Sequence, residues 1–249
     1  MPKIFDLTRE IYHRMRISPT YQTPLICDHL THSETLPAYN QRASWAAKAL
    51  AFSDHTGTHV DAFNHMSPDA PSESIDQIPI ERFYGDAICL DASDKGPGGV
   101  IEVTDVERGL EKTGLDIRKG DTILFRSAHY YPPIGRSAFM PVHEQTADFE
   151  QYMRGFPGLS GEVVHWLADR GANSVGLEGR SVDSPSNERT DSGNCFPAHR
   201  ACFVRRILAI ENLSIPEELV GKRFIYVGLP LRLRGATGSP IRAIAVLND

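Results

Sequence analysis

The chain contains 249 residues, of which 41% are hydrophobic, and carries a formal net charge of −6. This composition suffices for a buried core, and the acidic balance argues against nucleic acids and anionic membranes as partners, so we expect a small-molecule substrate. The sequence has no apolar stretch long enough for a signal peptide or a membrane span, and its four cysteines are not closely spaced, which predicts a cytoplasmic protein with reduced thiols.

Short strands dominate the secondary structure that the sequence predicts. Apolar runs of strand length occupy residues 4–7, 49–52, 87–90, 122–125, 175–177, 207–210, 224–229 and 242–247. One helix is predicted from Thr104, which forms a capping box with Glu107, to about Lys112. A second helix is predicted from Ser160 to Arg170. This order of elements predicts an α/β fold with few helices, in which a mixed β-sheet forms the core of a single domain of 249 residues.

The densest group of possible metal ligands has the sequence HTGTHVDAFNH and begins at His55. His55, His59 and Asp61 are of the types that zinc, manganese and iron accept, and His65 follows as a candidate acid/base. In a straight strand the α-carbons of His55 and His59 would lie roughly 13 Å apart, too far for both to reach one ion. The chain must therefore bend, and Gly57 supplies the backbone freedom. We place the motif on a strand end running into a turn; a polar loop of merely hydrogen-bonded histidines is the alternative.

The same segment resembles the signature HxGTHxDxPxH of the cyclase family, which includes bacterial kynurenine formamidases and isatin hydrolases. Further segments resemble that family in the same order: FDLT at 5–8, GLEGRSVDSP at 176–185, FPAHR at 196–200, ILAIENL at 207–213 and GLPLRLRGATGSPIRAIAV at 228–246. Together they span nearly the whole chain. The resemblance implies the swivelling β/β/α fold of the family, with the turn at 235–239 near the active site.

The resemblance also implies a centre of two divalent ions, Zn or Mn. The family's first ion is held by the two histidines and the aspartate of the signature, which fall on His55, His59 and Asp61, and the aspartate bridges to the second ion. The second ion takes one histidine and one glutamate, which fall on His199 and Glu211.

The last histidine of the signature, the family's proton donor and acceptor, falls on His65. Glu211 is also informative without the resemblance, because it ends an apolar run where a buried carboxylate needs a cation. A salt bridge from Glu211 to Arg205 or Arg206 is the alternative to a metal.

Two departures from the family pattern concern the substrate. Phe63 replaces the proline of the signature, which alters the wall beside His65. Kynurenine formamidases carry a Trp-Pro-Gly run near the N-terminus, and Ser18 falls where the tryptophan would be, so Tyr21 is the aromatic residue that could partly replace it. Ser18, Tyr21 and Phe63 are therefore the candidate substrate contacts. His129 could line the pocket or lie in a surface loop.

The expected activity is hydrolysis of an amide C–N bond in an aryl formamide, lactam or cyclic imide, by a hydroxide that the metal generates at neutral pH. A lactone or ester hydrolase with the same site is an alternative, and a metal- or ligand-binding homologue without turnover is another. We also expect a homodimer or a higher homo-oligomer.

Overall fold

The computed structural model describes residues 1–66, 73–128, 153–188 and 195–248. The strands in these ranges are β1 (Lys3–Asp6), β2 (Leu25–Leu30), β3 (Ala47–Ala51), β4 (His59–Asp61), β5 (Tyr84–Asp91), β6 (Val100–Ile101), β7 (Thr122–Arg126), β8 (Gly158–Leu159), β9 (Ser174–Leu177), β10 (Leu208–Glu211), β11 (Arg223–Val227), β12 (Gly238–Pro240) and β13 (Ile244–Leu247). The helices are α1 (His32–Thr35), α2 (Val103–Thr113), α3 (Gly161–Asp169) and α4 (Pro197–Arg205), with 3₁₀ turns at Leu36–Tyr39, Phe63–His65, Ile80–Phe83, Ser93–Lys95 and Glu217–Leu219.

A nine-stranded mixed sheet organises the structure. Its strand order is β1-β13-β11-β5-β7-β9-β10-β4-β12. The four central strands β5, β7, β9 and β10 run parallel, and the outer strands pair antiparallel on both sides. The predicted α/β class, with a mixed sheet and few helices, is confirmed.

Buried side chains cover both faces of this sheet. Because successive residues of a strand point to opposite faces, Ile123 and Phe125 of β7 join one core cluster while Leu124 joins the other. The first cluster lies under α2, α3 and α4, and Leu167 is one of its fully buried members. The second contains Phe5 from the N-terminal strand and lies on the opposite face. Within the described residues no helix is both long and apolar enough to cross a bilayer.

The strand at 49–52 does not belong to this sheet, although the sequence predicts it as a strand like the others. It corresponds to β3, which pairs only with β2 in a separate antiparallel ribbon. Five strands are missing from the predicted apolar runs: β2, β4, β6, β8 and β12. Polar residues interrupt β2, and the other four strands have two or three residues each, too few to show an alternating pattern.

The first predicted helix begins earlier than expected. Its capping box is formed by Glu102 and Asp105, so the predicted pair Thr104 and Glu107 is wrong. Starting the helix at Val103 adds that side chain to the stripe that packs on the core, which a start at Thr104 would leave out. The second predicted helix is confirmed, with the hydroxyl of Ser160 accepting a hydrogen bond from the start of α3.

Candidate metal centre

Strand register places three of the candidate ligands on one face of the sheet. In the antiparallel pair of β10 and β4, Glu211 lies opposite His59, and Ile210 lies opposite Val60. Val60 and Ile210 point into the core cluster away from the helices. Their neighbours His59, Asp61 and Glu211 must therefore point to the opposite face, toward α4.

The two cross-strand neighbours of Asp61 are very small. Ala209 of β10 lies opposite it on one side, and Gly238 of β12 lies opposite it on the other. Larger side chains at these positions would occupy the space beside the carboxylate. The sheet thus leaves room around Asp61.

His55 comes from the turn between β3 and β4. Gly57 in this turn has φ +64°, so the predicted bend is confirmed, and a Cβ atom there would lie 2.9 Å from Ile11 Cγ1. His55 lies in the turn after a strand end, as the sequence predicts, but His59 and Asp61 lie beyond the turn on β4. The bend folds the motif back so that all three side chains meet.

His199 lies near the start of α4. Its side chain is buried and does not belong to the exposed surface of that helix. Asp183, also fully buried, accepts hydrogen bonds from the backbone N–H of Ala198 at 2.7 Å and of His199 at 3.1 Å. The same carboxylate lies 2.5 Å from His199 Nδ1. One carboxylate therefore fixes both the first turn of the helix and the orientation of the imidazole.

The other four candidate ligands surround Asp61. Its Oδ1 lies 2.8 Å from His55 Nδ1 and 3.4 Å from His59 Nε2, and its Oδ2 lies 3.4 Å from His199 Nε2. Glu211 closes the group, with Oε2 3.3 Å from His59 Nε2 and Oε1 3.2 Å from His199 Nε2. Residues far apart in sequence thus meet at one point.

The electrostatics of this group call for a cation. Both carboxylate oxygens of Asp61 are buried, and no group in the described part of the chain makes a well-aligned hydrogen bond to them, although three imidazole nitrogens are near. Burial raises the pKa of Asp61, but the charges of His65 and His55 and the close polar contacts with His199 and His55 lower it well below its usual value. Burial and the charge of Asp61 raise the pKa of Glu211, but His199 and His59 lower it to about 2.

The pKa of His59 shifts in the opposite direction to those of the two carboxylates. Burial lowers the pKa of His59, but its contacts with Asp61 and Glu211 raise it to about 10. The two buried carboxylates are therefore stabilised by nearby positive charge. Imidazole nitrogens and carboxylate oxygens together form a ligand set that divalent zinc or manganese accepts. The residues present fit such an ion.

Two triads of side chains have ligand atoms within 4.8 Å of one another: His55 with Asp61 and His65, and His59 with Asp61 and Glu211. Asp61 belongs to both. This grouping differs from the one that the family resemblance implies, which pairs His55 with His59. His65 thus stands within ligand distance of the centre.

His65 is the most accessible histidine of the group. It lies in the 3₁₀ turn Phe63–His65, is only partly buried, and its ring centroid lies 4.0 Å from that of His55. Burial lowers its pKa to about 4. A neutral imidazole at the edge of the site can accept a proton at neutral pH.

The candidate substrate contacts are placed differently from one another. The ring of Tyr21 stacks on His55, with centroids 5.4 Å apart, and burial together with the charges of Asp61 and Glu211 raises its pKa to about 12. The hydroxyl of Ser18 is instead paired with Thr20 at 3.1 Å.

Phe63 is buried and lines a narrow cavity that also contains Asp61 and His65. Its ring lies 5.6 Å from the guanidinium carbon of Arg82 and 5.6 Å from that of Arg206. These contacts make Phe63 part of a fixed wall. His129 lies outside the described residues.

The alternative salt bridges of Glu211 are not formed. Arg205 pairs with Asp169 at 2.6 Å, and Arg206 pairs with Glu73 at 2.8 Å. Both arginines therefore neutralise other carboxylates. Glu211 is left to His59, His199 and the backbone N–H of Val182, which donates to it at 2.8 Å.

Sequence reasoning missed three polar residues around the ligands: Asp183, Asp54 and Thr237. Asp183 lies in the segment GLEGRSVDSP and Thr237 in the turn at 235–239, so both segments are indicated but not these side chains. The hydroxyl of Thr237 lies 2.9 Å from His55 Nε2 and donates to Asp54 Oδ2 at 2.9 Å. This turn is therefore near the candidate centre.

Comparisons with known proteins identify relatives of this chain. The model of the family described as "Putative cyclase" matches residues 5–184. The kynurenine formamidase of Salinibacter ruber is 28% identical over 202 residues, covering 79% of this chain and 77% of that protein. The kynurenine formamidase of Bordetella petrii is 28% identical over 214 residues, covering 83% and 87%.

Solved structures show the same fold. Isatin hydrolase A from Labrenzia aggregata, bound to benzyl benzoate, superposes with a TM-score of 0.79 at 20% identity, covering 100% of this chain and 94% of the other. Isatin hydrolase A from Ralstonia solanacearum gives a TM-score of 0.79 at 23% identity, covering 99% and 92%.

Proposed function

Since this chain belongs to the cyclase family, we propose that it is a metal-dependent amidohydrolase that cleaves a non-peptide C–N bond. The observation that carries the proposal is the buried carboxylate of Asp61, whose two oxygens have imidazole nitrogens around them but no well-aligned donor among the described residues. A structural role would leave such a group unpaired at a cost of several kcal/mol. A cation removes that cost.

The ligands in this proposal are His55, His59, Asp61, His199 and Glu211, which would hold zinc or manganese. We propose two ions that share Asp61, and the membership of Asp61 in both triads of ligand atoms supports this. When bound, a divalent ion lowers the pKa of a water ligand to about 7 and polarises a substrate carbonyl.

The acid/base in this proposal is His65. Its neutral ring lies beside His55 and at the accessible edge of the site, where it can take a proton and pass it to the leaving nitrogen. A closed structural metal site would have no use for such a group.

The proposed substrates are aryl formamides, lactams and cyclic imides. The relatives named kynurenine formamidase and isatin hydrolase support this range. The aromatic walls at Tyr21 and Phe63 suit a flat ring, and Ser18 is proposed as a more peripheral contact. A lactone or ester hydrolase is the second candidate, because the same centre would polarise either carbonyl.

We also propose that the chain forms a homodimer or a higher homo-oligomer. The support is the ribbon of β2 and β3, where no residue is buried and most are exposed, including Leu25 and Leu50. A two-stranded ribbon is marginally stable by itself, so contact with a second copy would stabilise it. The Leu50→Lys substitution should shift the sedimentation coefficient toward the monomer, and an unchanged value contradicts this role. The four free thiols support a reducing, cytoplasmic location.

The experiment that tests the function is a hydrolysis panel. Chelator-treated protein is reloaded with Zn²⁺ or Mn²⁺ and assayed on formamides, isatins, cyclic imides, lactones and esters. We expect metal-dependent turnover of at least one amide class, and none before reloading. Turnover restricted to lactones or esters would replace the proposal with the second candidate, and turnover that persists without metal would overturn both.

A further inference from the structure

Two of the three histidine ligands are held by acceptors that leave no choice of tautomer. His59 Nδ1 lies 2.8 Å from the carbonyl oxygen of Gly57, and His199 Nδ1 lies 2.5 Å from the carboxylate of Asp183. Both oxygens can only accept, so each Nδ1 carries the proton. In the neutral ring, which is the form that binds a metal, the lone pair of each Nε2 then faces the centre.

His55 is turned the other way round. Its Nδ1 faces Asp61 Oδ1 at 2.8 Å, and its Nε2 faces the hydroxyl of Thr237 at 2.9 Å. A hydroxyl can donate or accept, so this contact alone does not settle which ring nitrogen carries the proton.

Asp54 determines the direction of the hydrogen bond between Thr237 and His55. The hydroxyl of Thr237 donates to Asp54 Oδ2 at 2.9 Å, and the backbone N–H of Thr237 donates to the same oxygen at 2.9 Å. Because the single hydroxyl proton is used on Asp54, the oxygen must accept from His55 Nε2–H. The lone pair of His55 Nδ1 then points at Asp61.

The backbone beside Thr237 also presses against this ring. A Cβ atom at Gly238 would lie 2.8 Å from His55 Cε1, so only glycine allows β12 to approach so closely. His59 and His199 need no such support from a neighbouring turn, since a strand and a helix carry them.

We propose that Asp54 and Thr237 are positioning residues that hold His55 as the Nε2–H tautomer, so that it binds the metal through Nδ1 while His59 and His199 bind through Nε2. The inference rests on the metal centre of the proposed function and not on any substrate. Hydrogen-bonded partners of metal-binding histidines commonly contribute about 10- to 100-fold to metal affinity.

The first test leaves Asp54 and Thr237, which together with His55 we call the relay, unchanged. The full chain, labelled with ¹⁵N-histidine and loaded with Zn²⁺, is studied by long-range ¹H–¹⁵N correlation spectra, with His55 assigned by comparison with His55→Gln. We expect His55 to show a protonated Nε2 and a metal-bound Nδ1, and His59 and His199 to show the reverse. Coordination of His55 through Nε2, or a mixture of both forms, overturns the proposal.

The second test removes and restores the hydroxyl. Thr237→Val should lower Zn²⁺ affinity about 10- to 100-fold and mix the tautomers of His55, and Thr237→Ser should restore both. Thr56→Val is the matched control, because Thr56 is a buried threonine next to His55, yet its hydroxyl has no hydrogen-bond partner among the described residues. Wild-type affinity and tautomer in Thr237→Val would refute the relay.

These readouts separate the inference from the proposed function. Metal affinity and tautomer are measured without substrate, so they can support the relay even if the hydrolysis panel is negative. A chain that binds no Zn²⁺ at all would instead remove the metal centre and both proposals with it.

Discussion

His59, His199 and Glu211 form one side of the candidate metal centre, which we call the framework side, and they are carried by two paired strands and a helix. The other side, the turn side, consists of His55 and His65, which lie in a turn and in a short 3₁₀ segment. On the framework side the backbone hydrogen bonds of the sheet fix the ligand positions. On the turn side the positions depend on a few side-chain contacts.

This difference separates two kinds of consequence. A change on the framework side should affect metal binding and the stability of the fold together. A change on the turn side can alter catalysis while the fold is preserved. Substitutions on each side therefore test whether metal binding and stability are coupled there.

The largest effect is expected for His59→Ala. Its Nε2 lies 3.4 Å from Asp61 Oδ1 and 3.3 Å from Glu211 Oε2, so its removal would leave two buried carboxylates with one fewer ligand to hold a cation. Metal analysis should find the ion lost and turnover should fall to the level of chelated protein. Full metal content in this variant would show that His59 is no ligand.

His65→Ala should retain metal and lower kcat by about 10²- to 10⁴-fold, since it removes the acid/base and leaves the ligands in place. Thermal unfolding should change little. His165→Ala is the control, because His165 is exposed on α3 and belongs to neither triad of ligand atoms. Unchanged kcat in His65→Ala, or loss of metal, would contradict the assigned role and the division between the two sides.

Asp183→Asn tests the framework side. An amide can present a donor where His199 Nδ1 needs an acceptor, so we expect metal affinity to fall about 10- to 100-fold, together with a lower unfolding temperature because Asp183 also holds the start of α4. Isothermal titration with Zn²⁺ and a thermal melt measure the two effects. The control is Asp169→Asn, an exposed carboxylate on α3. A drop in metal affinity with no change in unfolding temperature would contradict the coupling of metal binding and stability on the framework side.

The smallest effect is expected for Gly57→Ala on the turn side. The positive φ and the approach of the new Cβ to Ile11 should reduce the free energy of unfolding by about 1–3 kcal/mol. Gly114→Ala is the matched control, because Gly114 has a similar φ of +68° but open space around its Cβ. A denaturant titration of both variants separates backbone strain from the clash, and equal losses would mean that the contact with Ile11 contributes nothing.

The sequence predicts the framework of the fold better than its details. Long apolar runs identify the central strands, because a strand buried on both faces has a continuous apolar sequence. The short strand β12 carries no such pattern, and its place at the sheet edge follows from pairing with β4. The capping box fails for a related reason: Glu102–Asp105 and Thr104–Glu107 have the same spacing, and only the packing of Val103 distinguishes them.

The sequence indicates the candidate ligands where they share a motif or a family resemblance, and the structure brings these side chains together. Asp183 and Thr237 could not be found in this way, because their importance depends on which ligand each one touches in the folded chain. Phe63 illustrates the same limit. Its replacement of proline is visible in sequence, but the two guanidinium groups that fix its ring are visible only in the structure.

Because β4 lies next to the edge strand of the large sheet, a bound metal would stabilise the fold as well. β4 has only the three-residue strand β12 outside it, yet Asp61 and His59 reach Glu211 on β10 and His199 on α4. An ion bound there would be a cross-link between parts of the chain that are distant in sequence, and closing such long loops stabilises a fold mainly by reducing the freedom of the unfolded chain. Loss of the ion would remove this cross-link, so the proposed catalytic centre and this edge of the sheet would be stabilised by the same bonds.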